Sequence, residues 1–267
     1  MVAIAGVLSV PAGAAQTLFG RTVLHGMRLP GGATRASTVS CPTGYAAVSG
    51  GVSTPAQGVA LLRAAPAGTR AYAFRLANAG GPARRVTVAV ACRRLRTSGA
   101  RIEMRQLEPK SVRVRHGVQQ SAALTCPSGT APAGSGVDIR SGGTQVTVRR
   151  LTESLRGFSF TVLNAGRGAR AVVFSGNCIT VVSRPGSPRA RLRVKLITFR
   201  QPLDPGRRTI THRCPTGWLS LATGYSLGAP AVALEGTAAV GGGGRWSVVN
   251  SGDASTPLVL QLSCGRV

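Results

Sequence analysis

The stretch Gly224-Tyr225-Ser226-Leu227-Gly228 has the spacing of a nucleophile elbow, the strained strand-to-helix turn that presents a serine hydroxyl to a histidine. Its surroundings argue against that chemistry. The triad order puts the histidine after the serine, and the last histidine here is His212. The elbow needs a strand-to-helix turn, whereas this segment fills the repeat position held by Gly51-Val52-Ser53 and Gly136-Val137-Asp138. His25, His116 and His212 stand at unrelated offsets from any recurring motif and read as exposed or strand-edge residues. Glycoside hydrolysis needs two opposed carboxylates. The chain has seven acidic residues, and its one close couple, Glu103 and Glu108, sits beside Arg101 and Arg105, which suggests ion pairing. Residues 16–98 contain no acid at all. The expectation is a protein that is not an enzyme and that carries no catalytic residue, no metal site and no cofactor.

Binding is better supported. There are 33 basic residues against the 7 acids, a net charge of +26, and only Lys110 and Lys195 are lysines. Such a chain attracts polyanions. Arg189, Arg191, Arg193 and Lys195 alternate with Ala190, Leu192, Val194 and Leu196. As a strand they would line one solvent face with charges about 6.6 Å apart, a ladder for a polyanion. Arg113 and Arg115 form a smaller version, and Arg93, Arg94 and Arg96 another group. Charges on an edge strand also block aggregation, which is their plainer role. An anionic polysaccharide or wall polymer is the expected partner, with nucleic acid a non-specific one.

These groups must be held by a scaffold, and the cysteines define it. Cys41-Pro42-Thr43-Gly44 returns as Cys126-Pro127-Ser128-Gly129 and Cys214-Pro215-Thr216-Gly217, each answered by one later cysteine, Cys92, Cys178 and Cys264. The spacings are 51, 52 and 50 residues. Gly51, Gly136 and Gly224 each follow the first cysteine by ten residues. Fourteen residues before each second cysteine comes Asn-x-Gly, at Asn78, Asn164 and Asn250, itself preceded by four residues by Phe74, Phe160 or Trp246. Such self-similarity is a repeat. It pairs Cys41 with Cys92, Cys126 with Cys178 and Cys214 with Cys264. A 50-residue gap without Cys-x-x-Cys is not zinc-ligand spacing. Each staple would stabilise its unit by roughly 4 kcal/mol in the chain-entropy model.

Alternation sets the faces. Val86, Val88 and Val90 share parity with Cys92, Val172 and Phe174 with Cys178, and Leu258, Leu260 and Leu262 with Cys264, so the second cysteines point inward. The aromatic strand before each Asn-x-Gly and the cysteine strand after it read as a hairpin or a short antiparallel connection, its glycine at positive φ and its asparagine tolerating one or closing an Asx-turn. The residue after each Cys-Pro-Ser/Thr-Gly turn is Tyr45, Thr130 or Trp218. An aromatic there either covers the disulfide or stacks on a ligand ring.

The fold expected is all-β: three tandem β-sandwich-like repeats of about 82 residues, with six or seven strands each. Their bounds are 16–98, 99–185 and 186–267. Residues 1–15, an apolar segment ending in Pro11-Ala12-Gly13-Ala14-Ala15, read as the remnant of a signal peptide. The paired cysteines agree with export, and no stretch is long enough for a transmembrane span. The pattern of Cys-Pro-Ser/Thr-Gly, Gly-Val, aromatic-x-x-x-Asn-x-Gly and Cys resembles the repeats of uncharacterised secreted actinobacterial proteins, a group that implies no established activity. The function expected is an exported binding protein for an anionic polymer of the cell envelope or extracellular matrix. The alternative is a structural subunit of a surface assembly whose charge serves solubility alone.

Overall fold

A computed structural model describes residues 18–95, 99–140, 145–187 and 189–267. Residues 1–15, expected to be a signal-peptide remnant, and Arg96 lie outside them. The described residues form strands and no α-helix, with one disulfide per segment of roughly 80 residues. Cys41 joins Cys92, Cys126 joins Cys178 and Cys214 joins Cys264, with Cα atoms 5.7, 5.7 and 5.8 Å apart.

The first segment supplies β1 (Leu18–Leu29), β2 (Thr34–Ser40), β3 (Ala46–Thr54), β4 (Val59–Pro66), β5 (Ala71–Asn78) and β6 (Arg84–Leu95). The second supplies β7 (Ala100–Gln106), β8 (Lys110–Val114), β9 (Gln119–Thr125), β10 (Ala131–Ile139), β11 (Val146–Ser154), β12 (Gly157–Asn164) and β13 (Arg170–Ser183). The third supplies β14 (Arg193–Leu203), β15 (Gly206–Arg213), β16 (Leu219–Leu227), β17 (Val232–Val240), β18 (Gly243–Asn250) and β19 (Thr256–Arg266). All recorded strand pairs are antiparallel.

Each segment divides its strands between two sheets. In the first these are β1-β6-β3 and β2-β5-β4, and in the third β14-β19-β16 and β15-β18-β17. In the second, β7 and β8 pair with successive stretches of β13, which pairs with β10, while β9-β12-β11 forms the other set. The hairpin expected at Asn-x-Gly is therefore corrected. β5 and β6 belong to different sheets, as do β12 and β13, and β18 and β19, so the connection crosses the core. The physical reason is that both strands turn an apolar face inward, which lets them sit opposite one another across a core instead of side by side in one sheet.

The asparagine is built for that crossing. Each is buried. Asn78 Nδ2 donates to Leu29 O (3.3 Å) and Pro82 O (3.0 Å), Asn164 Nδ2 to Val114 O (3.0 Å) and Gly168 O (2.8 Å), and Asn250 Nδ2 to Leu203 O and Ala254 O (both 2.9 Å). Each Oδ1 accepts from the N–H two residues on, at Gly80, Gly166 and Gly252, which closes the Asx-turn. Positive φ is not the common requirement, since among these three glycines only Gly80 has it.

The sheets also run across segment boundaries. β4 pairs with β10, and β11 with β16, which joins the first segment to the second and the second to the third. The repeated glycines sit at these joints. A Cβ on Gly136 would lie 2.5 Å from Ala65 Cα and 2.7 Å from Ala64 O of β4, and one on Gly224 would lie 2.7 Å from Leu151 O of β11. Gly51 meets Thr237 O of β17 in the same way, so the third segment returns to the first and the ring closes. Close backbone approach, and not a special φ, is what demands glycine at all three.

The interior has three parts. One cluster fills the first segment, another runs continuously through the second and third, and a third gathers Leu18, Val48, Ala91, Ala133, Ile179, Leu221 and Ala239 from all three. Phe74, Phe160 and Trp246 are fully buried, as are Cys92, Cys178 and Cys264.

Candidate functional site: the disulfide end

The Cys-Pro-Ser/Thr-Gly turn positions the residue that follows it. The N–H of Tyr45 donates to Pro42 O (3.1 Å), that of Thr130 to Pro127 O (3.1 Å) and that of Trp218 to Pro215 O (3.0 Å). Counted from the proline, the third residue of this turn is Gly44, Gly129 or Gly217, with φ of 80°, 77° and 79°. This is the left-handed third position that a type II turn reserves for glycine. The first cysteine is tied in turn to the facing loop, its N–H donating to Arg70 O, Arg156 O or Gly242 O at 2.7 to 2.8 Å. Turn, staple and loop fix the exit direction of Tyr45 and Trp218.

Both rings are half-buried against their cores, and both carry a guanidinium. Arg94 Cζ lies 4.8 Å from the Tyr45 ring centroid and Arg266 Cζ 4.7 Å from that of Trp218. Each arginine follows the second cysteine of its segment by two residues. Cation–π contact restrains each guanidinium over the face of its ring. In the second segment Thr130 and Thr180 replace ring and arginine, and each hydroxyl hydrogen-bonds to the turn itself, at Pro127 O (2.7 Å) and Gly129 O (3.2 Å). Tyr45, Arg70, Arg94 and Arg101 border a hollow of about 430 Å³, and Trp218 and Arg213 another of about 570 Å³.

Register adds a feature that offsets in the sequence conceal. The residue paired with the second cysteine is Arg21 opposite Cys92, Arg105 opposite Cys178 and Lys195 opposite Cys264. All three are exposed. They precede the first cysteine of their segments by 20, 21 and 19 residues, so aligning the chain on its cysteines misses them. Glu103 is the one carboxylate at this end, and Arg101 holds it (Nη2 to Oε1, 2.5 Å).

The basic ladder is redrawn. β14 begins at Arg193, so Arg189 and Arg191 precede the strand although all four cations are exposed. The alternation survives, with Ala190 buried and Leu192 and Val194 packed on the shared cluster. Farther along, β14 changes its inward face to Ile197, Phe199 and Leu203, which pack in the third segment's core. Arg113 and Arg115 are exposed but distant in register. Arg113 faces Ala171, seven residues before Cys178, whereas Arg193 faces Arg266, two residues after Cys264. The two groups thus occupy opposite ends of corresponding strands and do not form one surface.

Arg93 leaves the basic group altogether. It is fully buried, and its Nε and Nη2 donate to Ser220 O (2.9 and 2.5 Å), Nη2 also to Ser220 Oγ (3.0 Å) and Gly241 O (3.3 Å). Burial lowers its pKa to about 10. Arg149 plays the same part between the second and third segments, donating to Val232 O (2.8 Å), Leu227 O (3.3 Å) and Ala229 O. The face that points away from Cys92 is not solvent but the middle of the ring, which is why the arginine there is a clamp.

Ser226 lies inside β16, paired with Arg150 on one side and Val259 on the other, with no helix following. His212 stacks on Phe199 (3.6 Å between centroids), and burial lowers its pKa. His25 and His116 are exposed. No helix of the described residues is long and apolar enough to cross a membrane. Compared with known proteins, the chain matches no family model and no curated protein.

Proposed function

We propose that this is an exported, non-catalytic protein that binds an anionic polymer of the cell envelope or extracellular matrix. In this reading the chain is three sandwich-like copies of one unit closed about a pseudo-threefold axis, akin to the secreted actinobacterial repeat proteins that it resembles. Three disulfides fit an oxidising compartment. The observation that carries the binding assignment is the disulfide end. Arg21, Arg94, Arg105, Lys195 and Arg266 are exposed there, and the one carboxylate among them is already paired. A surface of this kind gains affinity by releasing counterions from a polyanion.

Reversing Arg189, Arg191, Arg193 and Lys195 to glutamate tests the site. Affinity for an anionic polysaccharide, read by isothermal titration at two salt concentrations, should fall, and its salt dependence should flatten. Unchanged affinity and slope would remove this strand from the binding surface.

A further inference from the structure

Within that polyanion reading, on which it rests, we infer that the disulfide end of the third segment is a site for a tetrahedral oxyanion ester, phosphate or sulfate, centred on Arg266 and Arg193. The two arginines are direct partners in the β14–β19 ladder, so their side chains leave the same face. Their Cβ atoms are about 5 Å apart at such a pair, a spacing at which like charges repel. Lys195 is two residues along the same face. Both arginines are exposed, and neither has a salt bridge or hydrogen-bond partner among the described residues. No salt bridge among the described residues offsets the repulsion.

Geometry then selects the ligand. The Arg266 guanidinium lies over the Trp218 ring, which restrains its fork and limits the entropy lost when it binds. A carboxylate has two coplanar oxygens, which a single guanidinium fork occupies. A tetrahedral oxyanion directs oxygens along different axes and accepts from both forks, with the Lys195 ammonium as a further point charge. The other segments give the internal comparison. The first keeps ring and arginine, Tyr45 and Arg94, but pairs Arg94 with Phe19. The second has Thr180 opposite Glu103. The full set of ring, stacked arginine and facing arginine occurs in the third segment alone.

The test uses the full chain and three polymers matched in length and charge density: poly(glycerol phosphate), dextran sulfate and polygalacturonate, in about 0.15 M salt. The wild type should bind at least one of the first two about tenfold more tightly than polygalacturonate, and the tighter of the two identifies the ester. Arg266→Lys keeps the charge and loses the planar fork. It should erase that preference while leaving the salt slope and melting temperature unchanged, and Arg193→Lys should do the same. Arg113→Lys, at the opposite end, should change nothing. Equal binding of all three polymers, or a preference that survives both lysine variants, overturns the oxyanion site and leaves general polyanion binding standing. Binding to none overturns both.

Discussion

Glu153 is the residue whose chemistry is least comfortable in this fold. It is buried, and neither carboxyl oxygen completes a hydrogen bond of good geometry. Burial raises its pKa from 4.5 to about 8, with the Ser263 hydroxyl pulling it part of the way back. Its charge also adds to the upward shift of the buried Tyr72 phenol. The folded state thus prefers the protonated acid. That contribution to stability is full below pH 4.5, declines between 4.5 and about 8, and is absent above, with a slope of about 1.4 kcal/mol per pH unit. Glu153→Gln should flatten the profile over this window and be the more stable protein at pH 8. Denaturant titrations of both proteins from pH 5 to 9 check this, and parallel profiles would contradict it. Sequence alternation makes Cys92, Phe74 and their counterparts legible as core. It leaves Arg93 hidden, because a residue on the outer face of one segment becomes interior only when the neighbouring segments close over it. Glu153, which pairs with the core residue Phe158, is an acid where the pattern calls for an apolar side chain.

At the scale of elements, what the chain reveals is the local unit and what it conceals is the joint. Cys-Pro-Ser/Thr-Gly reads as a turn because each of its parts has a local cause, and Asn-x-Gly reads as an Asx-turn for the same reason. The expected hairpin fails because inward-facing apolar strands can be neighbours in one sheet or opposite partners across a core, and alternation does not distinguish them. The ten-residue offset of Gly51, Gly136 and Gly224 is visible, but its cause lies in another segment's backbone. Gly136→Ala is the direct probe of that cause. Its methyl would meet Ala65 Cα at 2.5 Å, main chain that cannot rotate away. The substitution should cost about 3 kcal/mol as an overpacked site, read from the urea midpoint. A change below about 0.5 kcal/mol, the range of an ordinary surface site, would mean that the β4–β10 joint is loose.

For the molecule as a whole, ring closure determines which surfaces remain for binding. It buries Arg93 and Arg149, spends their charge on carbonyls at the joints, and leaves the second cysteines' strand partners exposed. The candidate site was half legible: the alternating cations from Arg189 to Lys195 are plain in the chain, and so are Tyr45 and Trp218. Arg94 and Arg266 gain their meaning only when register brings one onto Tyr45 and sets the other between Trp218 and Arg193. The most direct measurement is the affinity of the unmodified chain for an anionic polysaccharide across a salt series from about 50 to 200 mM. Tight binding is expected at the low end, with a linear fall of log K with log salt. Absence of binding at the low end, or an affinity indifferent to salt, would contradict it.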